Sequence, residues 1–231
     1  MATNISAWYP DINMRIIGVP QPTQLIALRD AIRSFCEKTH LWKETLAEID
    51  IVASTNVYTI TKANAEIVMV LNAKYKQPKS DGTESDDDQY YTLTPAVDET
   101  LDRILTGSWE WRTTSAPSEY YISDYTEPEA WVLSFTEIPD TASIDGLRVK
   151  VAIKPDNSAT TVEDFFYSNH KDAITYKACS ILYGLTAMPW ANIEFSVAFD
   201  RVFNTECVKA AQFRRKGGTI REMKFQYQQF V

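Results

Sequence analysis

Glycine is scarce in this 231-residue chain, at 7 residues, and histidine scarcer still, at 2. So few glycines leave no phosphate-cradling loop: neither G-x-G-x-x-G nor G-x-x-x-x-G-K-[ST] occurs, and no nucleotide site is indicated. The three cysteines, Cys36, Cys179 and Cys207, are odd in number and widely spaced. That argues against a disulfide framework and for buried free thiols in a reducing compartment. With no C-x-x-C or H-x-x-x-H spacing, neither a metal centre nor a cofactor is expected. No run approaches the roughly 18 apolar residues of a membrane span. The opening MATNISAWYPDINMRI lacks the charged and then apolar regions of a signal peptide. The expected compartment is a cytosol, with no membrane partner.

What is present is apolar bulk and a lopsided charge. Hydrophobic residues make up 45% and aromatics 12%, which places the chain among well-packed proteins rather than disordered ones. Seven of the 23 basic residues (Arg201, Lys209, Arg214, Arg215, Lys216, Arg221, Lys224) and two of the 31 acids (Glu206, Glu222) fall in 201–231, a net +5. The first 200 residues therefore carry 16 bases against 29 acids, a net −13. Such a body repels nucleic acid on average. The basic end reads as a contact for an acidic protein surface rather than as a DNA-binding arm.

The periodicity changes three times. Up to about Pro22, the X-Pro steps and MRIIGVP read as an extended arm. From Thr23, a candidate N-cap, Leu25, Leu28, Ile32, Phe35, Cys36 and His40 recur at helical spacing. From Glu44 the period drops to two, and strands are expected through residue 155, interrupted by a polar loop QPKSDGTESDDDQ and a short helix over 96–105. LRVKVAIKP alternates as a half-buried strand should. Helical spacing returns over 162–188. A last helix, capped by Asn192, carries a broad apolar face from Ile193 to Ala211 and stops at RRKGG. None of these helices can bury its apolar stripe alone. The expected fold is α+β: a bundle of three main helices (one N-terminal, two C-terminal), an inserted antiparallel β-sandwich-like region, and an extended C-terminal tail. The boundaries read 1–43 with 156–218 for the helical domain, 44–155 for the insertion and 219–231 for the tail.

Cys36 and His40 lie four apart and share a helix face. A metal needs three or four ligands, and a thiol on an apolar stripe is ordinarily a small core hydrophobe. His40 stands near a helix C-terminus, where a cation is favoured. A mid-helix thiol without a glycine-rich turn is also a poor nucleophile. The acidic loop, with Asp81, Glu84, Asp86, Asp87 and Asp88, offers hard oxygens, but its spacing departs from a calcium loop and it reads as a solvated tip. Asp124, Glu127 and Glu129 read as solvated turn acids rather than a glycosidase pair. No catalytic, metal or cofactor residue emerges, and the chain is read as a non-enzyme.

The order of features is similar to that of a known family. LRDAIRSFCEKTHLWKE with Arg33, Phe35, Cys36, Thr39 and Trp42, the strand pair SFTEIPD and LRVKVAIKP, the helix DFFYSNHKDAITYKACSILYGLTAMPW and the helix FDRVFNTECVKAAQFRRKGG together resemble the head-tail adaptors (connector, neck or head-completion proteins) of tailed bacteriophages. The resemblance spans about residues 20 to 218. It implies a viral structural protein of the virion, assembled in the host cytoplasm and placed at the head-tail junction. There a homo-oligomeric ring, commonly a dodecamer, binds the portal protein and presents a platform to a tail or nozzle protein. DNA passes through its lumen during genome ejection without sequence-specific binding. It further implies a portal-docking tail, with Arg214, Arg215, Lys216, Arg221 and Lys224 for charge and Phe225, Tyr227 and Phe230 as anchors. The Trp and Tyr content around 109–131 supports an alternative, a carbohydrate-binding or tail-fibre-like β-sandwich module.

Overall fold

A proline sets the start of the first long helix. Pro20 is held extended (ψ 142°) and Pro22 stands in the first turn, where its missing N–H costs nothing, so α2 runs Gln21–Thr39. In the computed structural model, which describes residues 2–76, 90–97, 100, 104, 112–127 and 130–215, Thr23 thus lies inside the helix rather than capping it. His40 closes it in the left-handed region (φ 48°), donating its backbone N–H to Cys36 O at 2.8 Å.

The chain divides into two compact units, Met1–Leu41 with Thr160–Val231, and Trp42–Ala159. Together they make an α+β protein whose described residues hold four α-helices and a large, curled, mixed sheet. In the first unit, strand β1 (Ala2–Asn4) pairs antiparallel with β12 (Thr161–Glu163). The expected extended arm is instead folded. Asn4 caps a 3-10 turn over Ile5–Trp8, and α1 follows at Tyr9–Asn13 with Pro10 in its first turn. Trp8, Ile12 and Ile16 fall four apart, and all three are buried. That burial is what pins the segment down.

Helix α3 (Asp164–Tyr183) follows β12 directly, and α4 (Ile193–Arg215) begins after Asn192, whose Oδ1 accepts from the Phe195 N–H at 3.1 Å. Val162, expected in the helix, belongs to β12, and α3 ends at Gly184 rather than near Met188. Helix α2 meets α3 through Phe35, whose ring lies edge-on to Phe166 at 6.2 Å. Helices α3 and α4 exchange two bonds: Ser180 Oγ donates to Ser196 O at 2.9 Å and Ser196 Oγ to Ser180 O at 2.8 Å.

The second unit is a sheet with strand order β2-β11-β5-β6-β8-β9-β4, with β3 also pairing β11. Its strands are β2 (Lys43–Thr45), β3 (Ile49–Ile51), β4 (Val57–Thr61), β5 (Ala65–Lys76), β6 (Tyr90–Pro95), β8 (Glu119–Glu127), β9 (Ala130–Phe135) and β11 (Ser143–Pro155). Two-residue strands β7 (Thr113–Thr114) and β10 (Ile138–Pro139) form a separate parallel pair. The expected antiparallel sandwich is corrected in two respects. First, β6 and β8 run parallel, with Thr94 opposite Glu119. The long connection between them returns the chain to the same end of the sheet, as a parallel pair requires. Second, one sheet curls on itself in place of two facing layers: Tyr75 of β5 meets Phe135 of the non-adjacent β9 edge-on at 6.2 Å. Tyr58, Ile60, Tyr75, Leu93, Phe135, Val149, Val151 and Ile153 share that core.

Candidate interaction surfaces

Helix α4 carries more apolar surface than its own unit covers. At about 100° per residue, Phe203, Cys207 and Ala210 fall on one side, and all three are buried. About 100° to one side of that face stand Phe195 and Val202; about as far to the other stand Ile193, Val197 and Val208. All five are exposed, Ile193 at 63% and Val202, the least, at 40%. The remaining back, Glu194, Arg201, Thr205 and Gln212, is exposed and polar.

The first flank continues beyond α4. The Phe195 ring lies 5.5 Å from Tyr183, and Phe199 stacks on Tyr183 at 5.8 Å and on Tyr176 at 5.7 Å. The Tyr183 hydroxyl donates to Arg15 O at 2.8 Å, and the Arg15 guanidinium lies over the Tyr176 ring at 5.4 Å. On either side of Arg15, Met14 and Ile17 are 75% and 90% exposed. An aromatic ladder thus runs from α3 and α4 to the turn after α1. The sequence reading missed Met14, Ile17, Tyr176 and Tyr183 by placing the first two in an arm. The i, i+4 recurrence of Trp8, Ile12 and Ile16 was the available signal.

A groove of about 560 Å³ opens where α3 is broken at His170 (φ −130°, ψ 17°). Residues 167–173 of α3 and Glu206, Lys209 and Ala210 of α4 line it. The His170 ring packs against Phe35 at 4.8 Å and Phe165 at 6.2 Å. Burial there lowers its pKa, opposed by the Glu206 carboxylate.

The Cys36 and His40 pair separates in three dimensions. Cys36 is 1% exposed on the core face of α2, while His40 is the half-exposed helix cap. Cys179 and Cys207 are buried free thiols, each pushed up to about 11 by burial. Among the described residues no group of three or more His, Cys, Asp or Glu could hold a metal ion, and no helix is long and apolar enough to cross a membrane.

Several expected site residues lie outside the described residues: Asp81, Glu84, Asp86, Asp87 and Asp88 of the acidic loop, and Lys216, Arg221, Lys224, Phe225, Tyr227 and Phe230 of the tail. So do Trp109 and Trp111, Glu129 and most of the short helix over 96–105. Arg214 and Arg215 form the backbone of the last turn of α4, so the tail continues from this helix. Trp131 packs against the sheet core. No family model matches the chain, and no curated protein matches it.

Proposed function

We propose that the chain is a structural adaptor of a tailed-phage particle. Its helices α2, α3 and α4 act as a three-helix bundle that assembles into a ring, twelvefold in the usual form of such adaptors. The ring joins the portal to the tail, and its tail segment beyond Gly217 and Gly218 docks on the portal. The observation that carries this reading is the pair of apolar flanks on α4. A helix serving only its own fold needs one stripe. Two further stripes about 150° apart suit a head-to-tail contact, in which each copy gives one flank to the copy before it and the other to the copy after it. The −13 charge of the first 200 residues suits a lumen that lets DNA slide without holding it. The role needs no catalytic group.

The test mixes two variants in the presence of portal. Phe195→Glu with Val202→Glu removes one flank, and Val197→Glu with Val208→Glu removes the other. Wild type is expected to form rings by negative-stain imaging. Each variant alone stays monomeric, and the two together stop at heterodimers, because only one intact interface remains. Rings from either variant alone overturn the assignment of the flanks. A wild type that ignores the portal at micromolar concentration overturns the adaptor reading itself.

A further inference from the structure

The outer face of the sheet holds positive charge that the adaptor reading does not use. Val149, Val151, Ala73 and Tyr75 point into the core, so the alternation turns Arg148, Lys150, Asn72 and Lys74 outward. Arg148 stands opposite Lys74, and Lys150 opposite both Asn72 on one side and Thr45 on the other. These five residues of three adjacent strands line a depression of about 280 Å³. Arg148 is already engaged. Its Nε donates to Glu48 Oε1 at 2.8 Å, its Nη2 bonds the same oxygen, and its guanidinium lies 4.0 Å from the Tyr90 ring centre.

Elsewhere on this unit lysines meet acids: Lys62 pairs with Glu44, and Lys154 with Glu66 at 3.3 Å. Lys74 and Lys150 do not, since neither side chain has a hydrogen bond or ion pair among the described residues. Two ammonium groups without a partner among the described residues, beside a guanidinium, are out of pattern in a chain of net charge −8. Asn72 fits the same sign of ligand: its Oδ1 is closed off from solvent, so the only side-chain polar atom it can offer in the depression is Nδ2, a donor.

We propose that this depression binds a phosphate group, with Lys74 and Lys150 as its charge partners, Thr45 and Asn72 as neutral donors, and Arg148 as a fixed wall. A carboxylate is best met by the two-pronged guanidinium fork, and Glu48 already holds that fork. What remains are ammonium, hydroxyl and amide donors lining one depression, a set suited to the several oxygens and higher charge of phosphate. The donors line one small depression rather than a long track, and the chain as a whole is acidic. The group therefore comes from a small molecule rather than from a nucleic-acid backbone, whose affinity grows with the number of phosphates contacted.

The experiment titrates the full chain with inorganic phosphate at low ionic strength, followed by calorimetry, with a 20-base-pair duplex and a hexaglutamate peptide as parallel arms. One saturable phosphate site is expected, weakened tenfold or more in Lys74→Gln/Lys150→Gln, with circular dichroism unchanged. Thr45→Val is expected to weaken it about threefold and serves as the second variant should the double one unfold. Duplex binding that is tighter than phosphate and lost with the same lysines reassigns the phosphate to nucleic acid. Lysine-dependent binding of hexaglutamate in preference to phosphate, or phosphate binding indifferent to these substitutions, overturns the proposal.

Discussion

Burial decides what each reactive side chain can do. A thiol reacts as its thiolate, and at pH 8 a thiol with a pKa of about 11 is ionised in roughly one molecule per thousand. Cys179 and Cys207 are in that position, and Cys36 is closed off on the core face of α2. The expected outcome with a thiol-specific chromogenic disulfide at pH 8 is almost no release from native protein over minutes, and release equivalent to all three cysteines in urea. A thiol that reacts at once in the native state would mean that one of these residues is chemically exposed, and the packing account of Cys36 would fail with it. Gln24 shows the same logic for a polar group. Its buried place on α2 is supported on the donor side, where Nε2 donates to Val19 O at 2.8 Å and to Asn13 Oδ1 at 2.9 Å, while its Oε1 has no partner among the described residues and Leu25 beside it is only half-buried.

At the scale of elements, backbone proximity sets the tightest constraints. Between Ser143 and Leu147 the register of β11 against β3 shifts, and Gly146 sits in that irregularity. A Cβ there would stand 2.5 Å from Ile51 Cγ1 and 2.9 Å from Ser143 O. Ile51 is 1% exposed and cannot swing away. Gly146→Ala is therefore expected to destabilise the protein by about 1–3 kcal/mol through overpacking, read as a lower urea midpoint at unchanged slope; an unchanged midpoint would mean the strand yields. The alternation that marks β11 was legible in the sequence, as was the run of strands from β2 to β5, because one side of each faces the core. The turn and short helix over Ile5–Asn13 were also within reach, through Asn4, Pro10 and the four-residue spacing of Trp8, Ile12 and Ile16. The parallel pairing of β6 with β8 was not, since the direction of pairing depends on where a long connection returns. Nor was the second apolar flank of α4: periodicity showed a broad apolar face, but only packing separates the part its own fold covers from the part left exposed.

For the whole molecule, the inserted position of the strand unit has a consequence for folding. Its first strand and its last long one are neighbours, Lys43 standing opposite Ala152, so both ends of the insertion leave from one edge. Residues 42–159 have their own apolar core. Both histidines, His40 and His170, belong to the other unit. His170 holds its proton less readily in the fold than in the unfolded chain, because burial disfavours the cation. Its contribution to stability is thus fully present above its unfolded pKa of about 6.5 and lost as pH falls toward the lower folded value. The carboxylates with lowered pKa, Glu48 beside Arg148, Asp200 beside Lys177 and Asp164 beside Thr3 and Ser168, contribute their share above the ordinary carboxylate range and lose it only at more acid pH. Between pH 7 and 5.5 the helical unit should therefore weaken while the strand unit holds. Thermal unfolding followed at 222 nm is expected to show the full chain's helical transition falling by roughly 2–4 °C per kcal/mol lost. The isolated 42–159 segment should unfold cooperatively at the same temperature at both pH values, and His170→Gln should remove most of the shift in the full chain. A shift that persists in His170→Gln would move the origin of the acid sensitivity away from the break in α3, and a 42–159 segment without a cooperative transition would show that the strand unit depends on the helices to fold.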